Sequence, residues 1–191
     1  MTLPPRAAAT APRVLAAALA LCVAAVAAGC GIGATSSGPA VTFPPEPAGP
    51  STPVTAAVTQ TRQAIASALA PFSLQLDDAD RPFRPSESRL TAAAPRAVYQ
   101  VVLPQELDGG YIVVYEFPDA ARAVDAGNDL AGYLGSGAGR VNFPIDARHT
   151  IRQLGTTLIV YTWAPSTSPD PGSPRIADAL STLGIGFAPP R

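Results

Sequence analysis

Residues 54–188 are expected to form one α+β domain: a two-layer sandwich with a four- to five-stranded antiparallel sheet and helices on one face. Three observations predict this. Two strongly β-type runs, 111–117 and 157–163, are dense in Val, Ile, Leu, Tyr and Trp. Runs with helical spacing of apolar residues alternate with them. Gly, Pro and Asp clusters fall between the runs, where chain reversals are needed.

The domain is preceded by two segments of different character. Arg6 and Arg13 precede an apolar stretch from Val14 to Ala28, followed by Gly29 and Cys30. A positive segment, an apolar run too short to span a bilayer comfortably, and small residues at a cut site define an export signal. The sequence Val26-Ala27-Ala28-Gly29-Cys30 resembles the signal peptide and lipobox of bacterial lipoprotein precursors. That resemblance implies cleavage before Cys30, a diacylglyceryl group on its sulfur and acylation of the new amino terminus. Ala27 stands where that family more often has Leu. Residues 1–29 are therefore expected to be the signal, with the mature chain held at the extracytoplasmic face of a cell membrane. More than one acyl chain is what stable anchoring requires. An uncleaved membrane anchor and an ordinary secretory signal are the two competing readings. Residues 30–53 follow as a tether. It carries Pro39, Pro44, Pro45, Pro47, Pro50 and Pro53 and a single charge, Glu46. Such a composition buries too little apolar surface to fold and favours extended chain. A Pro-x-x-Pro match at residues 44–47 offers recognition as an alternative to spacing.

The elements of the domain follow in order. Val54, Val58, Ile65 and Leu69 recur at helical spacing, with Thr52 and Pro53 suited to start the helix and Pro71 to stop it. Residues 72–76 read as a short strand, and residues 77–89 as a charged, Pro-containing loop. Residues 97–103 alternate as a strand does and end at Pro104. Asp108-Gly109-Gly110 supplies a turn before the strand at 111–117. Asp119 caps a helix to about residue 134, with Leu130 and Leu134 on one side and Arg122, Asp125 and Asp129 on the other. Strands 149–154 and 157–163 are joined by Gly155-Thr156, which suits a II′ hairpin. A Pro/Ser loop and a last helix, 174–183, complete the chain. Residues 112–117 align with 158–163 at an offset of 46, and each run closes a hairpin and precedes a helix. This predicts two ββα units, with convergent strand composition as the bland alternative. One sheet face would remain partly open for binding.

Composition restricts the function. The 13 basic residues are all Arg against 14 acids, for a net charge of −1. Loss of Arg6 and Arg13 with the signal makes the mature chain more acidic still, which excludes a nucleic-acid-binding balance. Of the two cysteines, the lipoprotein resemblance implies that Cys22 leaves with the signal and that Cys30 takes the lipid. No disulfide and no cysteine metal site is then available.

Few residues suggest chemistry. His149 is the single histidine, and Asp146 lies close in sequence. An acid–base pair of these two would define an envelope hydrolase, provided a nucleophile lies nearby. Arg140, Arg148 and Arg152, with His149, are the candidate ligand-binding set, because guanidinium groups pair with carboxylate and phosphate. Residues 135–140 resemble a phosphate loop, but follow a helix rather than open one, so they read as a helix stop and flexible loop. Asp77, Asp78 and Asp80 lack the Gly and Glu that a calcium loop requires, and ion pairs with Arg81, Arg84 and Arg89 are the simpler expectation. No catalytic residue, cofactor or metal is expected. The leading expectation is a lipid-anchored envelope domain that binds a small ligand or an envelope partner. The hydrolase and a passive structural module of the envelope are the alternatives.

Overall fold

The two strongest β-type runs of the chain lie side by side at the centre of one sheet. The computed structural model describes residues 55–190. The expected signal, Cys30 and the tether lie outside the described residues. In order the elements are α1 (Ala56–Leu69), a 3₁₀ turn (Ala70–Phe72), β1 (Leu76–Asp78), α2 (Arg89–Ala92), β2 (Arg96–Val101) and β3 (Tyr111–Glu116). Then come α3 (Ala120–Gly135), α4 (Gly137–Arg140), β4 (Arg148–Leu154), β5 (Thr157–Trp163), α5 (Gly172–Ser181) and β6 (Ile185–Phe187). All six strands form one antiparallel sheet in the order β1-β2-β3-β5-β4-β6. Among the described residues, no helix is long and apolar enough to cross a membrane.

The α+β class agrees with the sequence. Two details do not. The sheet has six strands, because β6 adds an edge that its three residues, Ile185-Gly186-Phe187, hardly signal. The helices also lie on both faces, which makes three layers. Ile112, Val114, Ile159 and Tyr161 pack with Ile65 and Leu69 of α1 and Ile176 and Leu180 of α5. Val113, Tyr115, Leu158 and Val160 point the other way and pack with Ala126, Leu130 and Leu134 of α3. The expected open face is therefore covered. The reason is visible in β3 and β5. Both are buried at successive positions, not alternate ones, which is the pattern of strands covered on two sides. Each large aliphatic side chain buried this way contributes roughly 1.5–3 kcal/mol.

The ββα repeat holds only in chain order. β2-β3-α3 and β4-β5-α5 do follow one another, but α3 and α5 cover opposite faces. The register explains why the alignment misleads. Val113 opposes Val160, and Ile112 opposes Tyr161. Opposed residues share a face and neighbours along a strand do not. An even offset of 46 therefore matches Val113 with Ile159, on the opposite face. The two runs match in composition, not in role.

Local ends differ in small ways. The cap of α1 is Thr55, whose hydroxyl accepts from the Val58 amide at 3.2 Å, in place of the expected Thr52. The strand expected at 72–76 starts at Leu76, because Ser73 turns left-handed (φ 57°) after the 3₁₀ turn. Gly155 has φ 59°, as the first position of a II′ turn requires. Residues 137–140 are a helical turn capped by Ser136, not the flexible loop expected.

The sheet has two distinct ends. One carries Glu116 and Thr157, and the chain enters the domain there. The Thr55 hydroxyl donates to Glu116 at 2.7 Å, and the Thr61 and Thr157 hydroxyls meet at 2.8 Å. The other end carries Tyr111 and Trp163.

Candidate functional site

At the Tyr111/Trp163 end, loops from both sides of the sheet surround a cleft of about 350 Å³, within the range of small-molecule sites. Three pieces of chain build it.

The first wall is the segment between β1 and β2, which straps across the α3 face. Phe83 on this strap stacks on Tyr111, with ring centroids 4.3 Å apart and planes 5° from parallel. The strap is latched by Glu87, whose side chain is only 4% exposed. Its carboxylate accepts from Arg84 Nε at 2.8 Å, Arg96 Nη1 at 3.3 Å and the Tyr115 hydroxyl at 2.9 Å. Burial, reinforced by the Glu87 charge, pushes the Tyr115 phenol far above its ordinary value. The phenol therefore keeps its proton and donates it. The Ser86 and Tyr133 hydroxyls, 2.7 Å apart, tie the strap to α3.

The second wall is the β2–β3 loop. Gln100 on β2 donates from Nε2 to the carbonyls of Leu107 and Gly109, at 3.1 and 2.9 Å. Gly110 then turns the chain into β3 with φ 76°, and a Cβ there would lie 2.1 Å from the Val101 carbonyl oxygen. Only glycine fits that approach without strain.

The third wall is the loop after α4. Phe143 meets His149 edge-on at 4.9 Å, and His149 Nδ1 lies 2.9 Å from Thr162 Oγ1. Burial lowers the His149 pKa below its ordinary value, so the ring is neutral at neutral pH. Val160 and Thr162 line the cleft between these walls. Leu107 on one lip, and Val141 and Ile145 beside the other, are exposed at 68%, 82% and 107%.

One corner of the cleft is acidic. Glu106 accepts from the hydroxyls of Ser168 and Ser173, at 3.0 and 3.1 Å. Behind it the buried Asp170 accepts from the amides of Gln105 and Gly172, at 2.9 and 2.8 Å. Among the described residues, neither carboxylate has an ion-pair partner. Burial chiefly raises the nearby Tyr161 phenol, and both carboxylates raise it further.

The sequence-derived candidates do not converge. Arg148 and Arg152 occupy the α1/α5 face of β4, and His149 the α3 face, because strand residues alternate. Arg148 lies over the Trp163 ring, 5.2 Å from its centroid. Arg152 donates from Nη2 to the Gly184 carbonyl at 2.8 Å and from Nε to that of Leu183. Arg140 donates to the Pro190 carbonyl at 3.0 Å. Two of these arginines thus fasten the C-terminal segment and the third packs on an indole; they form no shared anion site. Asp146 and His149 are not joined either. Asp146 accepts from the amide and hydroxyl of Ser166, at 2.7 and 2.6 Å, and that hydroxyl bond lowers its pKa. His149 is engaged by Thr162 instead. His149 does border a second depression, shared with Arg140 and separated from the main cleft by Phe143 and Pro144.

Asp78 pairs with Arg62 at 3.5 Å, Arg81 with Asp108, and Arg84 with Glu87. Among the described residues, no group of three His, Cys, Asp or Glu converges as a metal site. Sequence reasoning missed Phe83, Glu87, Glu106 and Tyr111 as site builders. The Asp-Gly-Gly turn before Tyr111 was the one local signal of the cleft's position.

No protein-family model matches the chain, and neither a curated protein nor a solved structure matches it.

Proposed function

We propose that this chain is an exported, lipid-anchored protein of the cell envelope whose α+β domain binds a small ligand in the aromatic-walled cleft. The cleft itself is the observation that carries the binding reading. It combines a volume suited to a small molecule with the Phe83/Tyr111 stack, Phe143 and a few polar groups, which is the usual make-up of such sites. The anchor reading rests on Arg6, Arg13, the apolar run and Cys30. The hydrolase alternative gains no support from Asp146 and His149, which hold separate partners.

Trp163 is the chain's single tryptophan and lines the cleft, so its emission reports on this site alone. A neutral fluorophore, N-phenyl-1-naphthylamine, is expected to bind the domain and take excitation energy from Trp163. Ala147→Phe, which places a ring into the cleft, is expected to weaken that binding at least about tenfold, the equivalent of about 1.4 kcal/mol. Equal binding to both proteins, or none to either, would overturn the cleft reading.

A further inference from the structure

We infer that the ligand of this cleft is a small organic cation: an ammonium or amidinium group on a flat, ring-bearing body. This rests on the cleft reading above and goes one step beyond it, to the charge and shape of the occupant.

The shape follows from the walls. Phe83 and Tyr111 are locked in a parallel stack, and Phe143 faces them across Val160 and Thr162. Flat apolar surfaces of this kind favour a flat apolar body, and aromatic faces also attract cations.

The charge follows from an inventory of lining groups. Among the described residues, Glu106 and Asp108 are the two carboxylates of the lining and Arg84 its one guanidinium. Arg84 is already turned to Glu87, and Asp108 is met by Arg81. Glu106 has only the hydroxyls of Ser168 and Ser173, and Asp170 behind it has only backbone amides. The cleft therefore ends in negative charge balanced by hydrogen bonds but, among the described residues, by no cation. Among the described residues, four of the six lining hydroxyls are committed: Ser86 to Tyr133, Tyr161 to the Ser173 carbonyl, Thr162 to His149 and Ser168 to Glu106, while those of Tyr111 and Thr167 remain free. Beside the Thr167 and Tyr111 hydroxyls, which can donate or accept, the charged group the corner offers a ligand is the Glu106 carboxylate. A carboxylate with two hydroxyl donors retains lone pairs for a further charged donor. An anionic ligand would meet the Glu106 and Asp170 charges in a partly dehydrated space, where repulsion is stronger than in water.

The test uses three ligands of one shape that differ in charge: phenethylamine, 2-phenylethanol and 3-phenylpropionate. Each is titrated against Trp163 emission excited at a wavelength the ligands do not absorb. The expected order is cation tightest and anion weakest, with at least a tenfold gap in Kd between them. Glu106→Gln keeps an acceptor for Ser168 and Ser173 and removes the charge. It is expected to shrink the gap to within about threefold while 2-phenylethanol binds as before. Should that variant fail to fold, Asp108→Asn on the exposed lip is expected to narrow the gap to a smaller degree. Tighter binding of the alcohol or the propionate than of the amine would overturn the charge assignment and leave the cleft reading intact. Failure of all three, alongside binding of the neutral fluorophore, would also overturn the assignment. Failure of the fluorophore as well would remove the cleft reading itself.

Discussion

Glu87→Ala is expected to lower the stability of the domain by roughly 3–5 kcal/mol, the usual consequence of removing one partner from a buried charged cluster. The Glu87 carboxylate is almost wholly buried and receives three donors. Without it, the Tyr115 hydroxyl loses its acceptor inside the core and Arg96, only 28% exposed, loses its counter-charge. The effect extends beyond stability. The strap carrying Phe83 is held to the sheet through Glu87, so the Phe83/Tyr111 wall is expected to open and cleft binding to fall with it. Arg84→Ala supplies the contrast. Arg84 is 63% exposed, and its removal is expected to cost no more than about 1 kcal/mol. Thermal melts of the two variants, read beside N-phenyl-1-naphthylamine binding, check both parts. Equal, small shifts for the two would contradict the latch.

Gly110→Ala is the second change with a large expected effect, about 2 kcal/mol or more. The φ of 76° disfavours any side chain, and the added Cβ would sit 2.1 Å from a backbone oxygen rather than against a side chain that could swing away. Relief requires Val101 and Gly110 to separate, although the Val101 amide donates to the Gly110 carbonyl at 3.0 Å. That separation pulls apart the β2–β3 pair at the edge of the cleft. Gly155→Ala is the control. Its φ is also positive, at 59°, but its Cβ would meet nothing within 4 Å. It is expected to cost about 1 kcal/mol from backbone strain alone. Denaturant unfolding of the pair separates strain from collision. Matching losses would remove the collision argument.

The sequence made the elements legible and their layering less so. The helix at 120–135 was readable because Asp119 caps it and Leu130 and Leu134 recur on one side. The β4–β5 hairpin was readable because a two-residue turn with Gly first has few solutions. The faces were misread for a physical reason. Ile112-Val113-Val114-Tyr115 contains no polar residue, so alternation cannot say which face is buried. The continuous apolar run itself was the signal that both faces are covered. The repeat failed on parity: β3 and β5 pair odd-numbered residues with even-numbered ones, so in this register an even offset joins opposite faces. β6 escaped notice because a three-residue edge strand is recognised by the partner it finds. Here Phe187 opposes Ile151 and lies against Gly127 of α3.

The site was less legible than the fold. Arg140, Arg148, His149 and Arg152 cluster in sequence, but strand alternation and the C-terminal segment send them to separate tasks. The cleft instead unites Phe83, the stretch from Glu106 to Tyr111, and Phe143, three pieces of chain that stand far apart and meet only once the sheet has formed. Glu87 gives no local sign of burial. Its meaning depends on Tyr115 and Arg96, both contributed by other elements.

The position of the cleft adds to the account. The chain enters the domain at the Glu116/Thr157 end, and the cleft lies at the opposite end of the same strands.

The central claim is that a lipid at Cys30 holds this binding domain to the envelope. The intact mass of the protein, extracted in detergent from the membranes of a bacterial host, tests it most directly. The account predicts a chain running from Cys30 to Arg191 with the added mass of two or three acyl groups. A mass beginning at Met1, or a cleaved chain without acyl groups, would contradict it.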